Sequence, residues 1–230
     1  MIIAVDGPSG AGKSTLGKML AKELKLLYLD TGAMYRAVGL AVLNEKINFD
    51  EKAKVAEIAE NAKIELVGEP ETLQVFLNGH DVSAEIRTNE VGQAASIVST
   101  ISEVRRILVE HQRQLGENSP NGAVLDGRDI GTVVFPTADI KFFLTAAPEA
   151  RAHRRYEEDL AKGFSSTFEE TLAEINLRDK RDATRADSPL SIAKDAVVID
   201  TSELNLSEVF EKMLHLIQEK SRAMATSEKM

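Results

Sequence analysis

The chain of 230 residues is long enough to bury a sizeable core, and it predicts a single domain with or without inserted segments. Its formal net charge of −9 argues against a nucleic-acid polymer as the partner, because such a partner requires a basic face. The absence of cysteine excludes disulfides, thiolate metal sites and cysteine nucleophiles. No apolar stretch approaches the roughly 20 residues of a membrane helix, and no basic segment precedes the first apolar run, so we expect a cytoplasmic protein that binds no membrane.

Short apolar runs alternate with helical patterns along most of the chain. Residues 2–5 predict a buried strand, and residues 13–24 carry apolar side chains at helical spacing. A last helix is expected to begin near Ser207. The further strand-like runs are residues 26–29, 124–125, 140–144 and 197–199. This alternation predicts a three-layer α/β/α fold with about five parallel strands.

Two segments interrupt this alternation. Residues 63–87 alternate apolar and polar side chains around an Asn-Gly pair at 78–79, which is a strong hairpin signal. They predict a small antiparallel sheet inserted into the α/β core. Residues 149–187 are crowded with charge of both signs, and within them Thr167 and Glu170 fit a helix capping box. This second segment is therefore predicted to be helical.

A glycine-rich motif near the N-terminus gives the first indication of chemistry. Residues 7–14 read Gly-Pro-Ser-Gly-Ala-Gly-Lys-Ser, the phosphate-binding pattern of Gly, four residues and Gly-Lys-Ser/Thr, between an apolar strand and an amphipathic helix. Backbone N–H groups of such a loop point at a phosphate, and the helix N-terminus adds partial positive charge. We expect Lys13 to reach the β- and γ-phosphates of a nucleoside triphosphate and Ser14 to ligate Mg²⁺. The residues predicted to contact this nucleotide are Gly7, Pro8, Ser9, Gly10, Ala11, Gly12, Lys13, Ser14 and Thr15.

Nucleotide binding alone leaves several reactions open. A GTPase requires an Asn-Lys-x-Asp segment that reads guanine, and the sequence contains none. Arginines instead recur in polar, loop-like settings, which favours a small-molecule kinase, because guanidinium groups position and stabilise a phosphoryl group in transfer. A surface ion pair is the alternative for any one of them. These arginines are Arg36, Arg87, Arg105, Arg128, Arg178, Arg181 and Arg185.

Five segments occur together and in a characteristic order. They are residues 6–14, 29–36 (Leu-Asp-Thr-Gly-Ala-Met-Tyr-Arg), 85–88 (Glu-Ile-Arg-Thr), 126–136 (Asp-Gly-Arg-Asp-Ile-Gly-Thr-Val-Val-Phe-Pro) and 178–185. In these segments, and over most of its length, the chain resembles the bacterial cytidylate kinases, which are nucleoside monophosphate kinases with a phosphate-binding loop (P-loop). The resemblance implies phosphoryl transfer from ATP, with Mg²⁺, to CMP or dCMP in pyrimidine nucleotide metabolism. The inserted antiparallel sheet also fits this family.

The resemblance implies roles for individual residues as well. The acceptor phosphate would be held by Arg36, Arg128 and Arg185. The ribose would be held by Thr31, Arg178 and Asp182, and the cytosine would be recognised by Ser96, Arg105 and Asp129. The catalytic group would comprise Lys13, Arg128, Arg178 and Arg185.

The implied base-reading residues also make chemical sense. Cytosine presents an N4 amino donor, which suits the Asp129 carboxylate, and acceptors at N3 and O2, which suit Arg105. Uracil has an acceptor in place of that amino group, so Asp129 would lose a hydrogen bond in a buried site. The alternative for Asp129 is an ion pair with Arg128. Asp126 follows a buried strand and is expected near Mg²⁺, the alternative being a cap of the strand end.

A single P-loop kinase domain over residues 1–230 is therefore expected. Its core would comprise residues 1–30, 100–148 and 188–220, with a nucleoside-monophosphate-binding insert at about 31–99 and a lid at about 149–187. One of Arg154, Arg155 and Arg181 would close over the transferring phosphoryl group and exclude water.

Two alternatives stay open at this point. A kinase of another small acceptor, such as UMP, AMP or shikimate, is disfavoured by the Asp129 argument and by the insert. A nucleotide-binding switch with little turnover would hydrolyse its nucleotide slowly and without regard to any acceptor. No long heptad repeat demands a dimer, so a monomer with only small-molecule partners is expected.

Overall fold

The computed structural model describes residues 1–161, 163 and 165–227. The strands of this described part are β1 (Ile2–Asp6), β2 (Leu27–Asp30), β3 (Ile64–Val67), β4 (Gln74–Leu77), β5 (His80–Asp81), β6 (Ala123–Gly127), β7 (Ile140–Thr145) and β8 (Val197–Asp200). Its α-helices are α1 (Lys13–Leu24), α2 (Thr31–Asn44), α3 (Lys52–Asn61), α4 (Asn89–Val98), α5 (Ser102–Glu117), α6 (Pro148–Ala161), α7 (Phe168–Thr184) and α8 (Leu206–Ser227). Short 3₁₀ turns cover Pro70–Thr72 and Glu85–Arg87, and a π-helical turn covers Ile130–Val134.

Five parallel strands form the central sheet in the order β2-β6-β1-β7-β8, which confirms the predicted α/β fold. Each predicted apolar run lies in one of these strands, with its ends shifted by at most two residues. The strands are legible in the sequence because parallel strands covered on both faces are nearly continuous apolar runs.

Helices cover both faces of this sheet. On one face, Leu16 of α1 and Met213 of α8 pack with Val5 of β1. On the opposite face, Val109 of α5 packs with Ala4, the neighbour of Val5 in the same strand. Successive side chains of a strand point to opposite faces, so β1 is buried between two helical layers. The predicted three-layer arrangement is confirmed.

The second sheet is antiparallel, in the order β3-β4-β5, and confirms the predicted insert. Leu77 pairs with His80 across the connection between β4 and β5. The two residues between them, Asn78 and Gly79, have φ angles of 53° and 82°. Positive φ at both central residues is typical of the type I′ hairpin turn, in which an Asn-Gly pair is favoured.

The segment predicted to be helical contains α6 and α7, which pack against each other. The His153 ring of α6 lies 4.5 Å from the Phe168 ring of α7, centroid to centroid. Helix α7 begins with the predicted capping box: the Glu170 N–H donates to Thr167 Oγ1 at 3.2 Å and the Thr167 N–H donates to Glu170 Oε2 at 2.9 Å. None of the helices in the described residues combines the length and apolarity needed to cross a membrane.

Three neighbouring strands of the central sheet carry an aspartate in the last or the next-to-last position. Asp6 at the end of β1 is level with Gly127 of β6, and Asp30 at the end of β2 is level with Asp126. Ligands of open parallel sheets bind at the carboxyl ends of the strands. The fold therefore places the P-loop, which follows Asp6, beside the Asp-Gly-Arg-Asp segment that starts at Asp126.

Gly39 marks a close approach between α2 and α4. A β-carbon there would lie 2.9 Å from the backbone nitrogen of Ala95 and 3.1 Å from the β-carbon of Ala94. We expect Gly39→Ala to lower the free energy of unfolding by about 1–2 kcal/mol, since overpacking outweighs the gain in helix propensity. Urea unfolding measures this loss, and an unchanged midpoint would contradict the tight helix contact.

Candidate active site

The glycine-rich loop connects β1 to α1 at the carboxyl edge of the sheet. At Gly7, where φ is +144°, a β-carbon would lie 2.0 Å from the carbonyl oxygen of Leu144, so β7 holds the start of the loop and only glycine fits. Within the loop, Lys13 Nζ donates to the Pro8 carbonyl at 2.7 Å. A curled loop that leads into a helix N-terminus is the arrangement that binds phosphates.

A hydroxyl and a carboxylate meet beside this loop. Ser14 Oγ donates to Asp126 Oδ2 at 2.5 Å, whereas Asp126 Oδ1 is buried and has no hydrogen-bond partner among the residues that the structure describes. Burial and the neighbouring Asp30 raise the pKa of Asp126 to about 6. Burial and the neighbouring Arg128 hold the pKa of Lys13 well below its usual value. Ser14, Asp30 and Asp126 therefore form an oxygen-rich, partly unsatisfied group next to the loop.

Asp129 lies between two buried arginines. Arg105 of α5 donates a short hydrogen bond from Nη2 to one carboxylate oxygen, and Nη2 of Arg185 lies 3.5 Å from the other. The predicted alternative, a pair between Asp129 and Arg128, is not what the described side chains form, since Arg128 binds Asp182 instead. This cluster presents charged donors and an acceptor inside the protein, which is what recognition of a flat polar ring requires.

The side chains that line the cleft carry an excess of positive charge, which comes mainly from arginines. Arg128 Nε donates to Asp182 Oδ2 at 2.8 Å, and Arg36 Nη1 donates to the Ile86 carbonyl at 2.7 Å. Arg178 Nε is buried without a hydrogen-bond partner in the described part of the chain. Burial, together with the like charge of Arg128, lowers the pKa of Arg178 to about 9. A bound anion would relieve this repulsion.

The two helices α6 and α7 are tied to the loop and to the core. Arg151 of α6 is buried and donates to the Ser9 carbonyl at 3.1 Å and to Asp179 of α7 at 2.6 Å. Arg154 donates to the backbone just beyond β8, and Arg155 donates to the side chain that opens α4. Both Arg154 and Arg155 face the cleft.

One cleft collects most of the residues predicted to form the site. Those lining it are Ser9, Gly10, Gly12, Lys13, Ser14, Thr15, Thr31, Arg36, Arg105, Asp126, Arg128, Asp129, Arg178, Asp182 and Arg185. Gly7, Pro8 and Ala11 lie buried in the base of the loop. Ser96 lines a smaller adjoining cavity, as does Arg181, the only one of the three lid arginines outside the main cleft of the described residues.

Comparison with known proteins decides the family. A family model described as "Cytidylate kinase" matches residues 3–219. The chain belongs to the cytidylate kinase family. The resemblance predicted from its sequence motifs is thereby confirmed.

Bacterial cytidylate kinases match almost the whole chain. The protein of Caldanaerobacter subterraneus subsp. tengcongensis is 50% identical over 220 residues, which cover 96% of both chains. The Bacillus subtilis protein is 46% identical over 220 residues, 96% of this chain and 97% of its own. The Mycobacterium leprae protein is 46% identical over 224 residues, 97% and 98% of the two chains.

A solved structure shares the fold of this cytidylate kinase family member. An uncharacterized protein from Eubacterium ventriosum superposes with a TM-score of 0.52 at 14% identity, covering 95% of this chain and 98% of its own. At that identity the likeness concerns the fold alone.

Several side chains of the cytidylate kinase cleft and its surroundings escape prediction from the sequence, and three of them make contacts that support the site. Tyr35 lies under Arg105, with 5.5 Å between the ring centroid and the guanidinium carbon. Its position directly before Arg36 in the 29–36 motif was the available signal. Arg151 and Asp6 bind backbone groups of distant segments, and neither contact leaves a local pattern in the sequence.

Proposed function

We propose that the protein transfers the γ-phosphoryl group of ATP to CMP or dCMP and forms ADP and CDP or dCDP. The observation that carries this proposal is the buried Arg105–Asp129 pair, which lines the same cleft as the P-loop. Asp129 would accept from the cytosine N4 amino group while Arg105 donates to N3 and O2. Uracil would turn a lone pair toward Asp129 and leave a buried acceptor unpaired.

The acceptor phosphate is assigned to Arg36 and Arg128, with Arg185 as a third ligand. The mutual repulsion of buried guanidinium groups in this part of the cleft supports the assignment, because a phosphate offsets it. Arg185 lies beside both Asp129 and Asp182 and would exchange a carboxylate for the phosphate. The ribose is assigned to Thr31, Arg178 and Asp182, and the cytosine to Ser96, Arg105 and Asp129.

Phosphoryl transfer in this site requires no protein base. The acceptor is a phosphate monoester with a second pKa of about 6, so it is largely dianionic at neutral pH and its oxygen attacks the γ-phosphorus directly. The bond from the γ-phosphorus to the bridging oxygen breaks, and its electron pair leaves with ADP. Lys13 stabilises charge on the β- and γ-phosphates, while Arg128 and Arg178 hold the two anions together.

Ser14 and Asp126 fit a Mg²⁺ ion that is bound together with ATP. A buried, unpartnered carboxylate oxygen next to a hydroxyl offers the hard oxygen ligands that Mg²⁺ prefers. Ser14 and Asp126 would supply two ligands, and phosphate and water oxygens would complete the coordination. When bound, the ion neutralises charge on the β- and γ-phosphates.

The division of the chain follows from this function. We assign the core to residues 1–30, 100–148 and 188–220, the monophosphate-binding insert to about 31–99 and the lid to about 149–187. The lid would exclude water as a competing acceptor, with Arg154 or Arg155 over the transferring group because both line the cleft. The enzyme would act as a monomer, which its net charge of −9 supports because like-charged copies repel one another, and a cytoplasmic location stays a prediction from the sequence.

Mg²⁺-dependent ADP formation from ATP, with CMP, dCMP, UMP, AMP, GMP or shikimate as acceptor, tests the proposal. We expect CMP and dCMP to exceed UMP in kcat/KM by about a hundredfold or more, since UMP leaves a buried acceptor unpaired. If no acceptor raised ADP above the acceptor-free control, a nucleotide-binding switch would replace the kinase. If AMP or shikimate were preferred, the assignment of Asp129 would be wrong.

A further inference from the structure

The backbone that follows Asp129 is held by a carboxylate from another strand. The Ile130 N–H donates to Asp6 Oδ1 at 2.8 Å, and the Gly131 N–H donates to Asp6 Oδ2 at 2.7 Å. Both oxygens of Asp6 are therefore used, one for each of two successive N–H groups. The Asp6 side chain is only 4% exposed, so water does not replace these bonds easily.

The far end of the same turn is held by a cation. Arg113 of α5 donates from Nε to the Val134 carbonyl at 2.9 Å and from Nη2 to the Val133 carbonyl at 2.7 Å. The N–H groups of Val133 and Val134 in turn donate to the carbonyl of Asp129 at 2.9 and 3.1 Å. The π-helical turn thus closes on Asp129 itself, and the helix that supplies Arg113 also supplies Arg105. Insertions of π geometry into helices often occur at functional sites.

Asp6 does not line the cleft formed by the described residues, so it can act on a substrate only through the groups it holds. We propose that Asp6 is a positioning residue for selection of the acceptor base: it fixes the backbone at 130–131 and thereby the Asp129 carboxylate, and Arg113 fixes the other end of the turn. This inference rests on the proposed role of Asp129 as the reader of the cytosine amino group.

Replacing Asp6 with asparagine distinguishes a role in positioning Asp129 from a role in the general stability of the fold. Asparagine has nearly the shape of aspartate, but its amide offers one acceptor oxygen, and its NH₂ group would face the second backbone N–H. One buried N–H is then left unpaired, and the turn must shift. The P-loop has its own supports, because Gly7 lies against the Leu144 carbonyl and Lys13 binds Pro8. The effect is therefore expected on the acceptor base and not on ATP.

Steady-state kinetics of Asp6→Asn with CMP, UMP and ATP tests this role. We expect the ratio of kcat/KM for CMP over UMP to fall about tenfold or more, with the KM for ATP within about threefold of wild type. The matched control is Asp139→Asn, because Asp139 Oδ2 accepts from the Ile2 N–H at 2.6 Å at the opposite end of β1. That variant should leave the ratio unchanged.

A second pair of variants covers the case in which Asp6→Asn does not fold. Arg113→Met removes both bonds at the other end of the turn, and a fall of about threefold or more in the CMP/UMP ratio is expected, with partial recovery in Arg113→Lys. The positioning role would be overturned by an unchanged CMP/UMP ratio in every folded variant. It would also be overturned if kcat/KM fell equally for CMP, UMP and ATP. A wild-type enzyme with no preference for CMP would instead overturn the proposed function, and the positioning role with it.

Discussion

Replacing Lys13 with methionine is expected to lower kcat for CMP phosphorylation by roughly a hundred- to a thousandfold, the usual effect of losing one preorganised charge in an active site. Lys13 lies at the N-terminus of α1, where its buried ammonium binds the Pro8 carbonyl and, on the proposed function, would face the phosphates of bound ATP. The KM for CMP should change by no more than about threefold, because the acceptor is held by other side chains. Steady-state ADP production measures both constants.

The methionine keeps most of the volume of Lys13, and it removes a charge whose burial is itself unfavourable. The thermal unfolding midpoint should therefore not fall, which separates a catalytic loss from a folding defect. Lys22→Met is the control on the same helix, since the Lys22 ammonium is exposed and pairs with the equally exposed Glu71. If Lys13→Met retained more than about a tenth of the wild-type kcat, the assignment of Lys13 to the transferring phosphoryl group would fail.

The sheet could be predicted from the sequence because its strands are buried on both faces. Four of the five residues at 140–144 are apolar, the exception being Lys141, and β7 covers this run with one further residue. The sequence predicts only residues 124–125 of strand β6, because the strand ends in Asp126 and Gly127, which lie buried at the edge of the cleft. Periodicity of apolar side chains cannot indicate a strand residue that is buried for its function.

The residues lining the cleft were largely predictable because they lie in short motifs with a known mechanical purpose, such as the P-loop. The residues that hold these motifs in place were not predictable. Asp6 contacts the backbone 124 positions further along the chain, and Arg151 contacts the loop 142 positions before it. Such contacts depend on strand order and helix packing, which a single sequence does not fix. The same limit applies to Ser96 and Arg181, which line the adjoining cavity, because a single sequence does not give the orientation of the helices α4 and α7 that carry them.

The structure also explains why the charges of this site survive burial. Arg105 and Arg185 share Asp129, and Arg128 and Arg185 share Asp182, so each of these two buried carboxylates is matched by more than one guanidinium group. The surplus charge is positive, which disfavours folding slightly and favours binding of phosphate groups. On the proposed assignment, selection of the base would depend on Asp129, the carboxylate that faces the cytosine amino group.

Asparagine in place of Asp129 is expected to lower kcat/KM for CMP by roughly a hundredfold or more and to bring the CMP/UMP ratio close to one. The amide keeps the shape of the side chain but can turn its NH₂ group toward the uracil O4, so the rejection of uracil is lost. The change also leaves Arg105 and Arg185 with less opposing charge in a buried site. Loss of one partner of a buried ion pair costs about 3–5 kcal/mol, so a lower free energy of unfolding should accompany the kinetic change.

The stability loss and the loss of base selection can be measured apart. Urea unfolding gives the first, and kcat/KM for CMP and UMP at a temperature where the variant remains folded gives the second. Glu103→Gln, which removes an exposed ion pair with Arg106 on the same helix as Arg105, should change neither by a measurable amount. A variant that was less stable but still preferred CMP over UMP as strongly as wild type would show that Asp129 is a structural counter-charge for the arginines. The cytosine amino group would then have to be read by another acceptor in the cleft, and the Arg105–Asp129 pair would no longer distinguish this enzyme from a kinase of other nucleoside monophosphates.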